Sequence, residues 1–299
     1  MNRADQIPEP VAVFGPGLLG GSLALAVRRR MPGAEVRIWC RREEAAADVR
    51  ERGIASMAST SVRDVASGAA FIILCTPVGV MPALARQIAA CELVRDCAVT
   101  DVGSVKGSIV AALEPVFANT GAVFVGSHPM AGSEKTGIDA AREDLFEGAA
   151  CIVTPPSAGE AAALARVRVF WSALGCRVLE MSATEHDRKV ARISHLPHVM
   201  AAITTLASLR PDADALKCAA GGFRDTTRVA GGDPAMWAGI LSENRSEVLA
   251  ALRDAAGATR ELLEIVEGLD EEKLRLFLAE AKNLRDRLGP GAAAAYGND

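Results

Sequence analysis

The 299-residue sequence predicts an α/β fold: a doubly wound, Rossmann-type parallel sheet at the N-terminal side, followed by an all-helical domain. Three observations predict it. First, the apolar run Val11–Phe14 enters Gly15-Pro16-Gly17-Leu18-Leu19-Gly20 and continues into an apolar helical pattern from Leu18 to Arg30. Second, strand-like runs recur at Val36–Cys40, Phe71–Cys75, Ala98–Asp101, Val123–Gly126, Cys151–Thr154 and Cys176–Met181, with helical stretches such as Val80–Ala90 and Ser104–Phe117 between the earlier ones. Third, no strand pattern occurs from Thr184 to Leu288. The expected organisation is a dinucleotide-binding domain over residues 1–182, a helical substrate and dimerisation domain over 183–290, and a disordered Gly- and Ala-rich tail over 291–299.

At the start of the chain the spacing of the three glycines is decisive. A pyrophosphate must sit against backbone N–H groups at a helix N-terminus, where Leu18 and Leu19 begin the helix. Gly15 allows the turn, Gly17 lets the phosphate approach, and Gly20 lets helix and strand pack closely. At the end of the second strand an NAD-preferring site usually offers a carboxylate to the ribose, but here the residues are Cys40, Arg41 and Arg42. Two guanidiniums suit a 2′-phosphate, so NADP is favoured, with NAD as the alternative. The competing reading is a solvated helix start in which Arg41 and Arg42 pair with Glu43 and Glu44. Ligands of wound sheets lie at the carboxyl ends of the strands. The loops Thr76-Pro77-Val78, Asp101 to Ser104 and Ser127 to Met130 are therefore expected to converge.

In the helical half, Thr184-x-x-Asp187 reads as a capping box, Asp233-Pro234 as a helix start and Asp270-Glu271-Glu272 as an acidic first turn. Apolar stripes along Glu185–Leu209, Pro234–Ala256 and Thr259–Glu267 exceed what one small bundle needs and offer a dimer interface beside a core.

Composition narrows the function classes. Half of the residues are hydrophobic, the formal charge is −4 and the isoelectric point is near 5.7. That balance supplies no basic field for a nucleic-acid backbone. The longest apolar run, Ala69 to Met81, is too short for a membrane span and is broken by Thr76, Pro77 and Gly79. Residues 1–10 lack the apolar segment of a signal peptide, so a cytoplasmic protein is expected. Seven scattered cysteines without a C-x-x-C pair fit buried thiols in a reducing compartment, and no metal site is expected.

The chemistry-bearing residues are few. Of four histidines, His128 stands at a strand end in Ser127-His128-Pro129-Met130-Ala131-Gly132-Ser133-Glu134-Lys135-Thr136-Gly137. An imidazole there can take a proton from a substrate hydroxyl while hydride leaves the same carbon; the plain alternative is a capping or core histidine. In Ser194-His195-Leu196-Pro197-His198, Ser194 and His198 share a helical face, His195 points elsewhere and Pro197 is expected to kink the helix. His186 reads as a cap or surface residue. Arg224 and Arg228, beside Gly221-Gly222, have the fork geometry to clamp carboxylates, although one of them can pair with Asp225.

Taken together, G-P-G-L-L-G-G-S, C-T-P-V, D-V-G-S-V-K, S-H-P-M-A-G-S-E-K-T-G, S-H-L-P-H and F-R-D-T-T-R-V-A-G-G-D-P-A-M-W resemble the prephenate and arogenate dehydrogenases of tyrosine biosynthesis. The resemblance runs in order from about Val11 to Leu288. It implies a dinucleotide-binding half and a helical dimerisation half with the active site between them, and an NAD(P)-dependent oxidative decarboxylation of prephenate, with L-arogenate as the alternative substrate. By position, His128 resembles the family's catalytic base and Ser104 the serine that bonds the same hydroxyl and the nicotinamide region. Arg228 is similar to the substrate carboxylate anchor. Ser194 and His198 are similar to the substrate-side pair, Ser133 and Glu134 to the active-site loop, and Asp225 and Trp237 to supporting residues. Cys40-Arg41-Arg42 departs from the acid that the family often carries. No further catalytic or regulatory segment is read at either end, so a monofunctional enzyme and a homodimer are expected. Rivals are a β-hydroxyacid-type dehydrogenase, for which Lys189 is the only helix lysine that could serve as acid–base, and a non-catalytic nucleotide-binding dimer.

Overall fold

The computed structural model describes residues 9–132, 135–157 and 160–288. The chain divides into two compact units, Met1–Asn244 and Arg245–Asp299. In the first, strands β1 (Val11–Phe14), β2 (Val36–Trp39), β3 (Met57–Ser59), β4 (Phe71–Leu74), β5 (Ala98–Asp101), β6 (Val123–Pro129), β7 (Ala150–Thr154) and β8 (Arg177–Glu180) form one sheet in the order β3-β2-β1-β4-β5-β6-β7-β8. Pairing is parallel from β3 to β6, antiparallel between β6 and β7, and parallel again between β7 and β8. The order reverses between β1 and β4, which opens a crevice at the carboxyl ends of those strands.

Continuous apolar strands need cover on both faces. Val11, Val13, Phe71 and Ile73 point to one face with residues of α1 (Leu18–Arg30) and α6 (Ala161–Ala173), where Phe71 stacks on Phe170. Ala12, Phe14, Ile72 and Leu74 point to the other, against α3 (Val62–Ala66), α4 (Met81–Ala89) and α5 (Gly107–Phe117). Helix α2 (Glu43–Glu51) packs beside β2 and β3.

Two elements depart from the sequence expectation. β3 has no counterpart in it, because three residues give too short a pattern to register. β6 runs on to Pro129 rather than ending at Gly126: it pairs with β5 as far as Val125, then with β7 from Gly126, a partner that local sequence does not announce.

Behind β8 the first unit continues through α7 (Ala183–Val190), a π-helical turn Ala191–His195, α8 (Leu196–Leu209), α9 (Gly221–Thr227) and α10 (Pro234–Glu243). The capping residue of α7 is Ser182, which accepts from Glu185 N, rather than Thr184. Asp233 caps α10 as expected, accepting from Met236 N at 2.7 Å. The second unit consists, in its described part, of α11 (Arg245–Glu267) and α12 (Glu271–Asp286), which pack against each other; Asp270 caps α12. Residues 291–299, expected as a tail, lie outside the described residues. Among the described residues no helix is long and apolar enough to cross a membrane.

Candidate active site

The crevice between β1 and β4 carries the glycine loop. Gly15 has φ +118, and a Cβ there would lie 3.0 Å from the Cys75 carbonyl oxygen. At Gly20 a Cβ would stand 1.8 Å from the Gly15 carbonyl oxygen, so only glycine permits this approach of helix to loop. At Gly17, the residue before α1, a Cβ would meet nothing within 4 Å, so this side of the loop faces open space. Helix α1 has no side-chain cap and no acid in its first turn, which leaves its leading N–H groups for an anion. Beside it, the buried hydroxyl of Thr76 has no hydrogen-bond partner among the described residues, and its methyl lies 3.4 Å from the Gly15 Cβ position. Pro77 leads into a short 3-10 turn, Val78–Val80, whose Val78 packs against Gly103, joining the Thr76-Pro77-Val78 and Asp101–Ser104 loops as expected. An open glycine, an uncapped helix start and a free hydroxyl together fit a dinucleotide pyrophosphate. At the end of β2, Arg41 and Arg42 are exposed and make no ion pair among the described residues, while Glu43 is engaged by Arg50.

The end of β5 is a buried polar knot. Asp101 and Lys106 form an ion pair with both side chains fully buried. Asp101 also accepts from Gly103 N at 2.8 Å and Ser127 N at 3.0 Å, fixing β5, β6 and the turn that carries Ser104. Ser104 itself is half-buried. His128 is buried on β6, and its Nδ1 lies 2.8 Å from His186 Nε2 on α7. His186 Nδ1 is in turn 2.8 Å from Asp187 Oδ1. Burial drives the His128 pKa well below the usual imidazole value, and His186, Lys106 and His195 push the same way. His186, fully buried, is lowered for the same first reason, although Asp187 pulls it up. It is therefore neither a cap nor a surface residue: α7 turns it inward onto His128 of β6, while the adjacent Asp187 of α7 holds its other nitrogen.

The third part comes from the helices after β8. The π-helical turn Ala191–His195, rather than a Pro197 kink, shifts the register, and Pro197 sits harmlessly in the first turn of α8. That register brings His195 and His198 together on Trp237: the His198 ring stacks on the indole at 3.5 Å between centroids, and His195 meets it edge-on at 6.2 Å. His195 thus does not point elsewhere. It is fully buried, its Nδ1 faces the Asn244 amide nitrogen at 3.2 Å, its Nε2 has no well-formed hydrogen bond among the described residues, and burial pushes its pKa down to about 4 although the Ser104 main chain pulls it up. His198 Nδ1 is likewise buried and without a well-formed hydrogen bond among the described residues, although the Val229 main chain lies close enough to raise its pKa against burial. Gly232 gives Trp237 its place, since a Cβ there would lie 2.5 Å from Trp237 Nε1. Ser194 is half-buried, whereas Arg224 and Arg228 are exposed, Arg228 opening a 3-10 turn that packs on α8. Helix α10 reaches the Val78–Val80 turn, so the helical segment adjoins the cofactor loop. Ser133 and Glu134 lie outside the described residues.

Two family models together account for nearly the whole chain. The nucleotide-binding domain of prephenate dehydrogenase matches residues 23–180, and the dimerization domain of prephenate dehydrogenase matches residues 182–280. The chain belongs to the prephenate dehydrogenase family. The prephenate dehydrogenase of Bacillus subtilis is 33% identical over 289 residues, covering 95% of this chain and 77% of that protein. Among solved structures, the prephenate dehydrogenase of Aquifex aeolicus in complex with hydroxyphenyl propionate and NAD+ superimposes with a TM-score of 0.86 at 32% identity, over 93% of this chain and 98% of that one. The Synechocystis arogenate dehydrogenase gives 0.79 at 30% identity, over 93% and 99%.

Membership of this family makes the protein an oxidoreductase that uses a nicotinamide nucleotide. The β-hydroxyacid rival loses its acid–base: Lys189 is half-exposed and pairs with Glu185 at 2.7 Å. Sequence reading singles out His128 and the glycine loop, reads His186 as a cap or surface residue, Asp187 as part of a capping box and His195 as pointing elsewhere, and does not single out Asn244. A signal does exist for the pair on α7. His186-Asp187 is an imidazole beside a carboxylate near the start of a helix, which is a reason to look for a third member elsewhere in the chain.

Proposed function

We propose that the protein oxidatively decarboxylates prephenate to 4-hydroxyphenylpyruvate, with His128 as the general base. The observation that carries this is a buried, neutral imidazole at the carboxyl end of β6, beside the strand ends that bear an uncapped helix N-terminus and a free Thr76 hydroxyl. The bound nicotinamide supplies the two-electron acceptor. His128 takes the ring-hydroxyl proton as the carbonyl forms, and loss of the ring carboxylate as CO2 restores an aromatic ring, which drives the reaction. Ser104 bonds the same hydroxyl. Arg228, with Arg224 on the same segment, anchors a substrate carboxylate; Ser194, His198, Ser133 and Glu134 complete the substrate side. His195 Nε2 and His198 Nδ1, which have no well-formed hydrogen bond among the described residues, are further donors or acceptors for it. Gly15, Gly17, Leu18, Leu19, Gly20, Thr76, Pro77 and Val78 hold the dinucleotide. Arg41 and Arg42, without an ion pair among the described residues at the end of β2, favour NADP.

The helical domain over residues 183–290 would dimerise the enzyme in the cytoplasm. Leu263, Val266, Leu276, Leu278 and Leu284 on α11 and α12 are each more than half exposed in the single chain, the apolar stock that a homodimer would cover. Substituting His128→Asn is expected to lower kcat by about 10²- to 10⁴-fold with little change in substrate KM. An unchanged kcat would remove His128 from the mechanism.

A further inference from the structure

We propose that Asp187, acting through His186, fixes the tautomer of His128 so that its unprotonated Nε2 faces the substrate, and that the same carboxylate holds the turn carrying Ser104. This rests on the reading of His128 as the base.

Donors and acceptors along the chain of contacts decide the tautomers. An ionised carboxylate only accepts. Asp187 Oδ1 takes the N–H of Lys106 at 2.8 Å, and Oδ2 takes the N–H of Gly107 at 2.8 Å, at the start of α5. These bonds and the His186 contact hold its carboxyl below the usual range against the opposing effect of burial. Because Oδ1 accepts, His186 Nδ1 must donate the 2.8 Å bond between them. A neutral His186 then has its only lone pair on Nε2, so His128 Nδ1 must donate the next bond, also 2.8 Å. The remaining lone pair of a neutral His128 is on Nε2. Both rings are kept neutral by their surroundings. His128 is faced by His186, Lys106 and His195; His186 is faced by Asp187, Lys106 and Asp101. Lys106 and Asp101 face each other, so neither leaves an isolated charge against the imidazoles.

The backbone is shaped for this contact. A Cβ at Gly107 would lie 2.7 Å from Asp187 Oδ2, so glycine there is what allows the carboxylate to reach both amides. Those amides follow Ser104 by two and three residues, and the main-chain oxygen of Asp187 accepts from Asn244 Nδ2 at 2.9 Å, the same amide that faces His195. One residue thus connects the base, the serine turn and the wall of the substrate site. As the substrate O–H bond breaks, its proton passes to His128 Nε2. The resulting imidazolium donates from Nδ1 to His186, and the Asp187 charge behind His186 stabilises it.

Asp187→Asn keeps the shape but places an amide where only an acceptor serves. His186 is then driven to the other tautomer, its Nε2–H pointing at His128 Nδ1, and the proton of His128 moves to Nε2. We expect kcat to fall by about 10²- to 10⁴-fold, the cost of a wrong tautomer, with both KM values within about threefold. Should Asp187→Asn fail to fold, His186 is tested instead: His186→Gln offers a carbonyl to His128 Nδ1 and should retain more activity than His186→Leu, which offers nothing. The direct readout is imidazole ¹⁵N NMR on histidine-labelled protein, which has four histidines to assign. It should show His128 protonated on Nδ1 in the unsubstituted protein and on Nε2 in Asp187→Asn. The proposal is overturned if the unsubstituted protein shows an Nε2–H on His128, or if folded Asp187→Asn and His186→Leu turn over at the normal rate while His128→Asn is inactive. If His128→Asn itself turns over normally, it is the assignment of the base that has failed.

Discussion

Single residues divide here into those whose role is written locally and those whose role depends on a distant partner. Gly20 belongs to the first kind. A Cβ 1.8 Å from a backbone oxygen cannot be relieved by a side-chain rotation, so Gly20→Ala must part helix from loop. We expect it to destabilise the fold by about 1–3 kcal/mol or more and to weaken nucleotide binding, both readable from thermal melts with and without NADP+. An unchanged melt would mean that the glycine loop is not packed as described. The need for glycine at position 20 is readable from the sequence because its close contacts, with Gly15 and Val13, lie within a few positions. His186 is not, because its partner His128 is 58 residues away. His195 is misplaced by a sequence reading that assumes a regular helix, because five residues form a π turn there and change which side chains share a face.

Elements show the same division. Helix α10 is legible because Asp233-Pro234 states its start: a carboxylate that accepts from Met236 N, then a proline whose missing N–H costs nothing in the first turn. Asp233→Ala should lower stability by about 0.5–2 kcal/mol, measured by denaturant titration, and a loss below that range would show that the cap is replaced by water. Strand β6 is legible only in its first half. Its second half, which carries Ser127 and His128, is held by antiparallel pairing to β7, and the register Ser127↔Val153 and His128↔Ile152 is a tertiary fact with no local signature. The candidate site sits at that change of partner.

At the scale of the whole molecule, all four histidines are buried with pKa values below the ordinary one, burial being the first cause in each. The unfolded chain protonates these rings near pH 6.5, whereas the folded rings resist, so below that pH the unfolded state binds more protons. Stability should therefore be full above about pH 6.5 and fall as the pH drops toward 4, the value to which His195 is pushed, by up to about 1.4 kcal/mol per unit for each ring. Equilibrium unfolding at pH 7.5 and 4.5 checks this, and equal stability at the two would contradict the buried, neutral cluster. The fold class and the order of the two halves are legible because strand and helix periodicity and the apolar stripes are distributed along the chain. The contacts that tie the helices after β8 to the sheet are not, because they rest on single residues such as Asp187 at the N-terminus of α5.

The measurement that bears most directly on the central claim follows reduced-nicotinamide absorbance with purified protein in four mixtures: prephenate or L-arogenate, each with NADP+ or NAD+. Turnover is expected with prephenate, faster with NADP+ than with NAD+. Preference for NAD+ would contradict the role given to Arg41 and Arg42, preference for L-arogenate would contradict the substrate, and silence in all four mixtures with nucleotide binding intact would contradict the proposed reaction itself.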